Sequence, residues 1–286
     1  LFRSTGHIPG NTQVIDSVII HHKDTKDTKK NWMYPMKAVV IIPARYASTR
    51  LPCKLILPEV KSVTGRYIIE HVYQNVKQAS RIDRVIVATD NQLIYDIVRG
   101  FGGDVEMTSV SHTSGTDRIA EVAGRLDADI VVNVQGDEPD LHASVVDEVI
   151  DALVGDNVAV MATVAHVITD TAELSNPHVV KVVLDNRGYA LYFSRSQIPC
   201  VRDSKDPINE PGITFLRHLG IYAYKRDFLL QYSKLPASSL EQAEKLEQLR
   251  ALSNGYKIKV AITGYTSRGI DTRDDLMAFL ERYKHD

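Results

Sequence analysis

Three short clusters in this 286-residue chain combine residue types that handle phosphates and divalent cations. The first is Pro43-Ala44-Arg45-Tyr46-Ala47-Ser48-Thr49-Arg50-Leu51-Pro52-Cys53-Lys54, in which cations and hydroxyls alternate with small residues. Guanidinium forks and a lysine point charge suit a polyphosphate, and loop N–H groups add donors. The same composition also describes a solvated basic loop. The second cluster, Asn133-Val134-Gln135-Gly136-Asp137-Glu138-Pro139, places carboxylates directly after an apolar run. Magnesium prefers such hard oxygens and keeps several waters, although Asp and Gly also build ordinary turns. The third, Gly269-Ile270-Asp271-Thr272-Arg273-Asp274-Asp275, offers Asp271 as a second metal carboxylate. Thr272 or Asp274 there equally suits the N-cap of a last helix.

Chemistry of this kind requires elements that bring the clusters together. Ala38-Val39-Val40-Ile41-Ile42 is a continuous apolar run ended by Pro43, the pattern of a strand buried on both faces. Ile68, Ile69, Val72, Tyr73 and Val76 recur at helical spacing. Val85 to Ala88 reads as a strand, Asn91 to Phe101 as a helix closed by Gly102-Gly103, and Val105 to Met107 as a short strand. A helix over Asp117 to Leu126 and a strand over Ile130 to Val134 follow. This order predicts an α/β fold, a Rossmann-like and mostly parallel sheet with helices on both faces. Ligands of such sheets bind at the carboxyl ends of the strands, which is where the first two clusters fall. Strands are also expected over 158–167, 179–184, 219–224 and 258–262, with a single helix from Ser239 to Leu252 capped by Ser238 or Ser239. On that helix Glu241, Glu244 and Gln248 share one face with Glu247 beside it, and Glu241 is expected to be solvated. The stretch 170–214 is expected to supply a smaller antiparallel insertion.

Composition narrows the field. A formal net charge of −2 gives no electrostatic case for nucleic acid, and no apolar run is long enough to span a membrane. Cys53 and Cys200 stand in unrelated contexts, so free thiols in a cytoplasmic setting are expected rather than a disulfide scaffold or zinc site. There is no Gly-x-Gly-x-x-Gly fingerprint, P-loop or Gly-x-Ser-x-Gly elbow, which argues against dehydrogenases, P-loop enzymes and α/β-hydrolases. Residues 1–35 carry a charged run around His21-His22 and fit neither a signal nor a transit peptide. They are expected to be a disordered leader or a gene-model extension, with the domain occupying 36–286.

From Met36 onward the chain closely resembles the 3-deoxy-manno-octulosonate (Kdo) cytidylyltransferases, the CMP-Kdo synthetases. The resemblance rests on the first two clusters and on Thr113-Ser114-Gly115-Thr116-Asp117-Arg118, Ala190-Leu191-Tyr192-Phe193-Ser194-Arg195 and Arg217-His218-Leu219-Gly220-Ile221-Tyr222. Leu246-Glu247-Gln248-Leu249-Arg250 and Gly269-Ile270-Asp271-Thr272 complete it. It implies a nucleotide-diphospho-sugar transferase type of fold, transfer of CMP from CTP to Kdo for lipopolysaccharide biosynthesis, a magnesium requirement and a homodimer built partly by 170–214. It further implies that Arg45 and Lys54 hold the phosphates, that Ala44, Ser114 and Arg118 surround the base and ribose, and that Asp137 and Asp271 carry magnesium. Gln135, Arg195, His218, Tyr222, Glu247 and Gln248 fall on the Kdo-binding set, although His218 read alone is equally a core histidine. A cytidylyltransferase for another acid sugar and a non-catalytic nucleotide-binding regulator remain the alternatives. Two departures stand out: Cys53 where the family usually has Gly, and the stretch 56–66 in place of a shorter turn.

Overall fold

Side chains of the first strand, β1 (Ala38–Ala44), alternate between two cores. Ala38, Val40, Ile42 and Ala44 enter one apolar cluster, whereas Val39 and Ile41 enter another on the opposite face. This is the two-sided burial expected of a central parallel strand. The computed structural model describes residues 36–46, 51–266 and 269–283. The expectation for residues 1–35, and Ala47, Ser48, Thr49 and Arg50 of the first cluster, lie outside the described residues.

After β1 a 3₁₀ turn (Lys54–Ile56) leads into α1 (Pro58–Thr64) and α2 (Ile68–Val76). There follow β2 (Arg84–Thr89), α3 (Gln92–Gly100), β3 (Val105–Met107), α4 (Gly115–Gly124), β4 (Ile130–Asn133) and α5 (Ala143–Val154). The second half holds β5 (Met161–Val167), α6 (Thr171–Ser175), β6 (Lys181–Leu184), β7 (Ala190–Ser194) and β8 (Leu216–Lys225). It closes with α7 (Arg226–Tyr232), α8 (Ser239–Glu244), α9 (Leu249–Ser253), β9 (Ile258–Ile262) and α10 (Arg273–Arg282). The sheet order is β3-β2-β1-β4-β8-β5-β9, with β6 and β7 added beside β8. Pairs among β1 to β4 are parallel, β8 runs antiparallel to both β4 and β5, and β9 runs parallel to β5. The chain leaves β1 for β2 on one side and later returns to β4 on the other. The carboxyl ends of β1 and β4 therefore flank the topological switch point.

Helices α2, α5 and α10 cover one face, with Ile69, Val72, Val146, Ile150 and Phe279 in the core. Helices α4, α7 and α9 cover the other through Ile119, Val122, Leu229 and Leu249. Of these, α5 and α7 are not among the elements expected from the sequence, although Val145, Val149 and Leu153 give α5 an apolar stripe.

Several expected boundaries are corrected. β1 continues through Pro43 to Ala44, because β4 pairs with it only as far as Ile41. Beyond that point Pro43 has a strand on one side alone, so its missing N–H breaks no second ladder. β5 begins at Met161 rather than Val158, since Asp156 Oδ1 accepts from the N–H groups of Val158 and Ala159 at 2.8 Å each and holds them in a turn. The single helix expected over 239–252 is two helices. Lys245 adopts φ 54°, ψ 45°, the left-handed conformation that ends α8, and Gln248 opens α9. Glu241 is not solvated: it closes a capping box with Ser238 and receives both Nε and Nη2 of Arg250, at 2.9 and 2.6 Å.

One backbone feature touches the first cluster directly. Cys53 has φ 56°, ψ 23° and immediately precedes the Lys54 turn. A left-handed conformation costs a residue with a Cβ roughly 1–2 kcal/mol relative to glycine. Comparing Cys53→Gly with Cys53→Ala isolates this term, since both remove the thiol. The glycine variant is expected to be the more stable by about 1 kcal/mol in urea unfolding; equal stability would show that the loop relaxes without strain.

Candidate functional site

At the switch point, the first and second clusters and the third converge on one ammonium group. Lys54 Nζ contacts Asp137 Oδ2 and lies 3.0 Å from Asp271 Oδ1. Asp137 follows β4, and Asp271 is brought to it by a 2.9 Å bond from the Ile270 N–H to the Asp137 carbonyl. The backbone N–H of Asp271 is in turn held 3.1 Å from Asp275, which forms a capping box with Thr272 at the start of α10. Of the two candidate caps there, Thr272 is the N-cap. Burial alone would lower the Lys54 pKa, but attraction to Asp137, their hydrogen bond and the contacts with Asp271 hold it above its ordinary 10.5. Lys54 is therefore fully charged and offsets two carboxylates that would otherwise repel.

Ala44 and Arg45 stand at the carboxyl end of β1. Arg45 Nη2 is buried with no hydrogen-bond partner among the described residues. A guanidinium donor left unbonded in the free chain is suited to an incoming anion. Ser114 is the N-cap of α4 and accepts from the Asp117 N–H at 2.9 Å, while a Cβ on the adjacent Gly115 would lie 3.5 Å from Pro43. The start of α4 is thus packed against the end of β1. Arg118 is placed differently from an open ligand-binding arginine. It is fully buried, Nη2 lies 2.5 Å from Asp90 Oδ2, and Nη1 donates to Thr108. Its charge holds Asp90 at the carboxyl end of β2.

A polar cleft of about 540 Å³ opens beside this cluster, with Asp271 on its rim. It is lined by Gln135, Arg195, His218, Tyr222, Glu247 and Gln248, so the whole expected sugar-binding set is brought together. His218 sits between Phe193 and Tyr222, with ring centroids 4.9 and 5.4 Å away. Burial pushes its pKa down to about 3, so the ring is neutral. Thr163 Oγ1 donates to the Ile221 carbonyl at 2.7 Å and so accepts from His218 Nε2 at 3.0 Å. That leaves Nδ1 as an acceptor. Arg195 spends three donors on backbone carbonyls: Glu244 at 2.7 Å, Pro177 at 3.2 Å and Lys245 at 3.5 Å. Two of its five N–H donors remain. Gln248 is 4% exposed and its Nε2 has no partner among the described residues.

Glu247 receives Thr116 Oγ1 at 2.9 Å, and its carbonyl accepts the Tyr232 hydroxyl at 2.6 Å. Burial pushes the carboxyl's pKa above its ordinary value near 4.5, against the opposing pull of Thr116 and Arg250.

The cleft also contains residues not singled out from sequence: Thr116, His178, Arg217, Tyr224, Tyr232 and Lys245. Behind it lies Lys181, fully buried, whose Nζ donates to the carbonyls of Arg195 (2.6 Å), Val179 (2.7 Å) and Asn176 (3.0 Å). This ammonium ties two walls of the cleft together. Its only sequence signal is a lysine within an apolar run, Val179-Val180-Lys181-Val182-Val183.

A doubly faced α/β sheet with a cation-bridged carboxylate pair at the switch point, beside a polar cleft, defines a nucleotidyltransferase-like site. A family model described as cytidylyltransferase matches residues 39–258. The 3-deoxy-manno-octulosonate cytidylyltransferase of Geotalea daltonii is 48% identical over 254 residues, covering 87% of this chain and 99% of that protein. The enzyme of the same name from Geobacter sulfurreducens is 46% identical, covering 87% of this chain and all of that protein. Among solved structures, CMP:2-keto-3-deoxy-manno-octonic acid synthetase complexed with CTP superposes with a TM-score of 0.80 at 41% identity, covering 87% of this chain and 99% of that one. At 17% identity and a TM-score of 0.56, the 4-diphosphocytidyl-2C-methyl-D-erythritol synthase of Anaerococcus prevotii shares the fold. The chain belongs to the 3-deoxy-manno-octulosonate cytidylyltransferase family.

The buried Glu247 carboxyl makes stability depend on pH. The folded chain binds its proton more tightly than the unfolded chain, so stability falls as pH rises from about 4.5 through the raised folded-state value. Glu247→Gln keeps an acceptor for Thr116 and escapes that loss. Thermal melts are expected to place the variant above the native chain at neutral pH, with the gap closing below pH 4.5. A variant that melts lower at neutral pH would contradict the raised pKa.

Proposed function

We propose that this chain transfers CMP from CTP to the anomeric hydroxyl of Kdo, yielding CMP-Kdo and pyrophosphate. The observation that carries the reading is the convergence of Lys54, Asp137 and Asp271 at the mouth of the cleft lined by Gln135, Arg195, His218, Tyr222, Glu247 and Gln248. The sugar hydroxyl attacks the α-phosphorus in line and gives up its proton to solvent, one O–P bond forms, the α–β bridging bond breaks, and pyrophosphate departs. Arg45 and Lys54 bind the phosphates and offset the charge that builds on the leaving group. Ala44, Ser114 and the start of α4 hold the nucleoside, with Arg118 acting through Asp90. Most of the rate enhancement comes from positioning and electrostatics.

Asp137 and Asp271 fit a magnesium ion. They are hard oxygen donors that approach one cation together, and magnesium is usually held by one or two carboxylates plus substrate phosphates. When bound there, the ion would neutralise phosphate charge and lower the pKa of a coordinated hydroxyl. In the cleft, neutral His218 accepts from a sugar hydroxyl, while the donors left on Arg195 face a carboxylated sugar. A homodimer is part of the same reading, supported by Leu191, 58% exposed, and Ile213, 37% exposed, in the 170–214 insertion. A cytoplasmic location is supported by the free thiols Cys53 and Cys200. Among the described residues no helix is long and apolar enough to cross a membrane.

Pyrophosphate release from CTP and magnesium is expected to depend on Kdo and to be absent with a sialic acid. Turnover with sialic acid in place of Kdo would keep the nucleotide site and discard the sugar assignment. Silence with every sugar, despite CTP binding, would favour a non-catalytic regulator. Asp137→Asn is expected to lower turnover roughly 100- to 1,000-fold while leaving the melting temperature near that of the native chain; near-normal turnover would remove Asp137 from the metal site.

A further inference from the structure

Buried polar atoms without a partner are rare in folded proteins and call for an explanation. Here they include Arg45 Nη2 and Gln248 Nε2, both already placed in the site, and Asn133 Oδ1, which is not. Asn133 ends β4, is 4% exposed and lines the cleft. Strand alternation puts it on the same face as Val131, which packs in the core beneath α4 and α9. Its neighbour across the ladder is Tyr222 of β8, and Ile41 of β1 lies on the other side. Gln135, two residues further on, lines the same cleft.

A buried asparagine at the end of an apolar strand is normally held by hydrogen bonds within the fold. This one makes no side-chain hydrogen bond among the described residues. Desolvating an amide oxygen without a partner costs about 1–3 kcal/mol, and a leucine of similar size would avoid that cost. The carbonyl head is therefore a preformed acceptor. Its position between Gln135 and Tyr222 places it with the sugar-binding residues rather than with the phosphate cluster at Arg45 and Lys54.

We infer that Asn133 is a substrate-contacting specificity residue, whose side-chain carbonyl accepts a hydrogen bond from a hydroxyl of the acceptor sugar. This rests on the reading of the cleft as the Kdo site. The same geometry explains discrimination: a sugar that lacks the hydroxyl, or holds it in the other configuration, leaves the amide buried and unpaired in the complex as well.

The test combines kinetics with stability. In Asn133→Ala the KM for Kdo is expected to rise about tenfold, with the KM for CTP unchanged. Asn133→Leu, matched in size, is expected to melt at or above the native temperature, because the acceptor it removes is unbonded in the free chain. Across a panel of singly deoxygenated Kdo analogues, the Asn133→Ala penalty is expected to vanish for the one lacking the hydroxyl that Asn133 reads. An unchanged KM for Kdo, a penalty equal for every analogue, or a marked fall in the melting temperature of Asn133→Leu would overturn the inference, the last by revealing a structural role. A native chain with no Kdo-dependent pyrophosphate release would remove the Kdo reading and this inference with it. An active native chain with an indifferent Asn133→Ala variant would remove this inference alone.

Discussion

Two carboxylates that must stand close together in a partly buried site repel each other, and the fold resolves that repulsion with one lysine. Asp137 follows the central strand β4, Asp271 precedes the last helix, and Lys54 lies on a turn after β1. Each is placed by a different part of the chain. The ammonium satisfies both acids, and the backbone bond from Ile270 to Asp137 makes their separation a property of the main chain rather than of flexible side chains. A bridge of this kind is exchangeable. A polyphosphate would give Lys54 other acceptors, and in the proposed reaction a divalent cation would take over the neutralising role of the ammonium. The free chain thus keeps its charges balanced in the geometry that the proposed reaction uses, and little reorganisation is needed when substrates enter.

The same economy governs the cleft and the end of β1 beside it. Arg45, Asn133 and Gln248 each hold a buried polar atom with no partner among the described residues, an arrangement that destabilises the free chain. Two apolar cores, one on each face of the sheet, sustain that cost. Arg118 and Lys181 show the complementary solution: both are fully buried cations whose bonds hold other parts of the site in place. Among the described residues Lys181 has no carboxylate at hydrogen-bond distance and is satisfied instead by three backbone carbonyls. Its charge is consequently directed at the main chain of the 176–179 and 195 walls.

The architecture was legible where local pattern and tertiary demand agree. The apolar run of β1, the helical spacing of α2 and the order of strands and helices through β4 sufficed for a mostly parallel sheet with its site at the strand ends. Pattern failed where the demand is set from a distance. Nothing in Ser239 to Leu252 marks a break, since neither glycine nor proline occurs there, yet Lys245 turns left-handed. The cause is tertiary. Glu244 is engaged by Ser194 and the Arg195 N–H at 2.6 and 2.9 Å, Leu246 enters the core, and Gln248 faces the cleft. No single straight helix satisfies these directions together.

The site divides along the same line. Clusters contiguous in sequence, such as the 43–54 loop and the Gln135–Asp137 turn, offer a chemistry through residue type, although a solvated loop and an ordinary turn have the same composition. The proposed sugar cleft is assembled from β4, β8, the end of β7 and the α8–α9 junction, and its members look individually like core or surface residues. His218 is the clearest case, because one geometry suits both the core reading and the proposed sugar-binding one. It is a core histidine by burial and by its bond to Thr163, and that bond fixes the tautomer that turns Nδ1 into an acceptor. Structural and proposed functional roles here rest on one arrangement, and only a resemblance running from Met36 onward could have linked such residues before the fold was known.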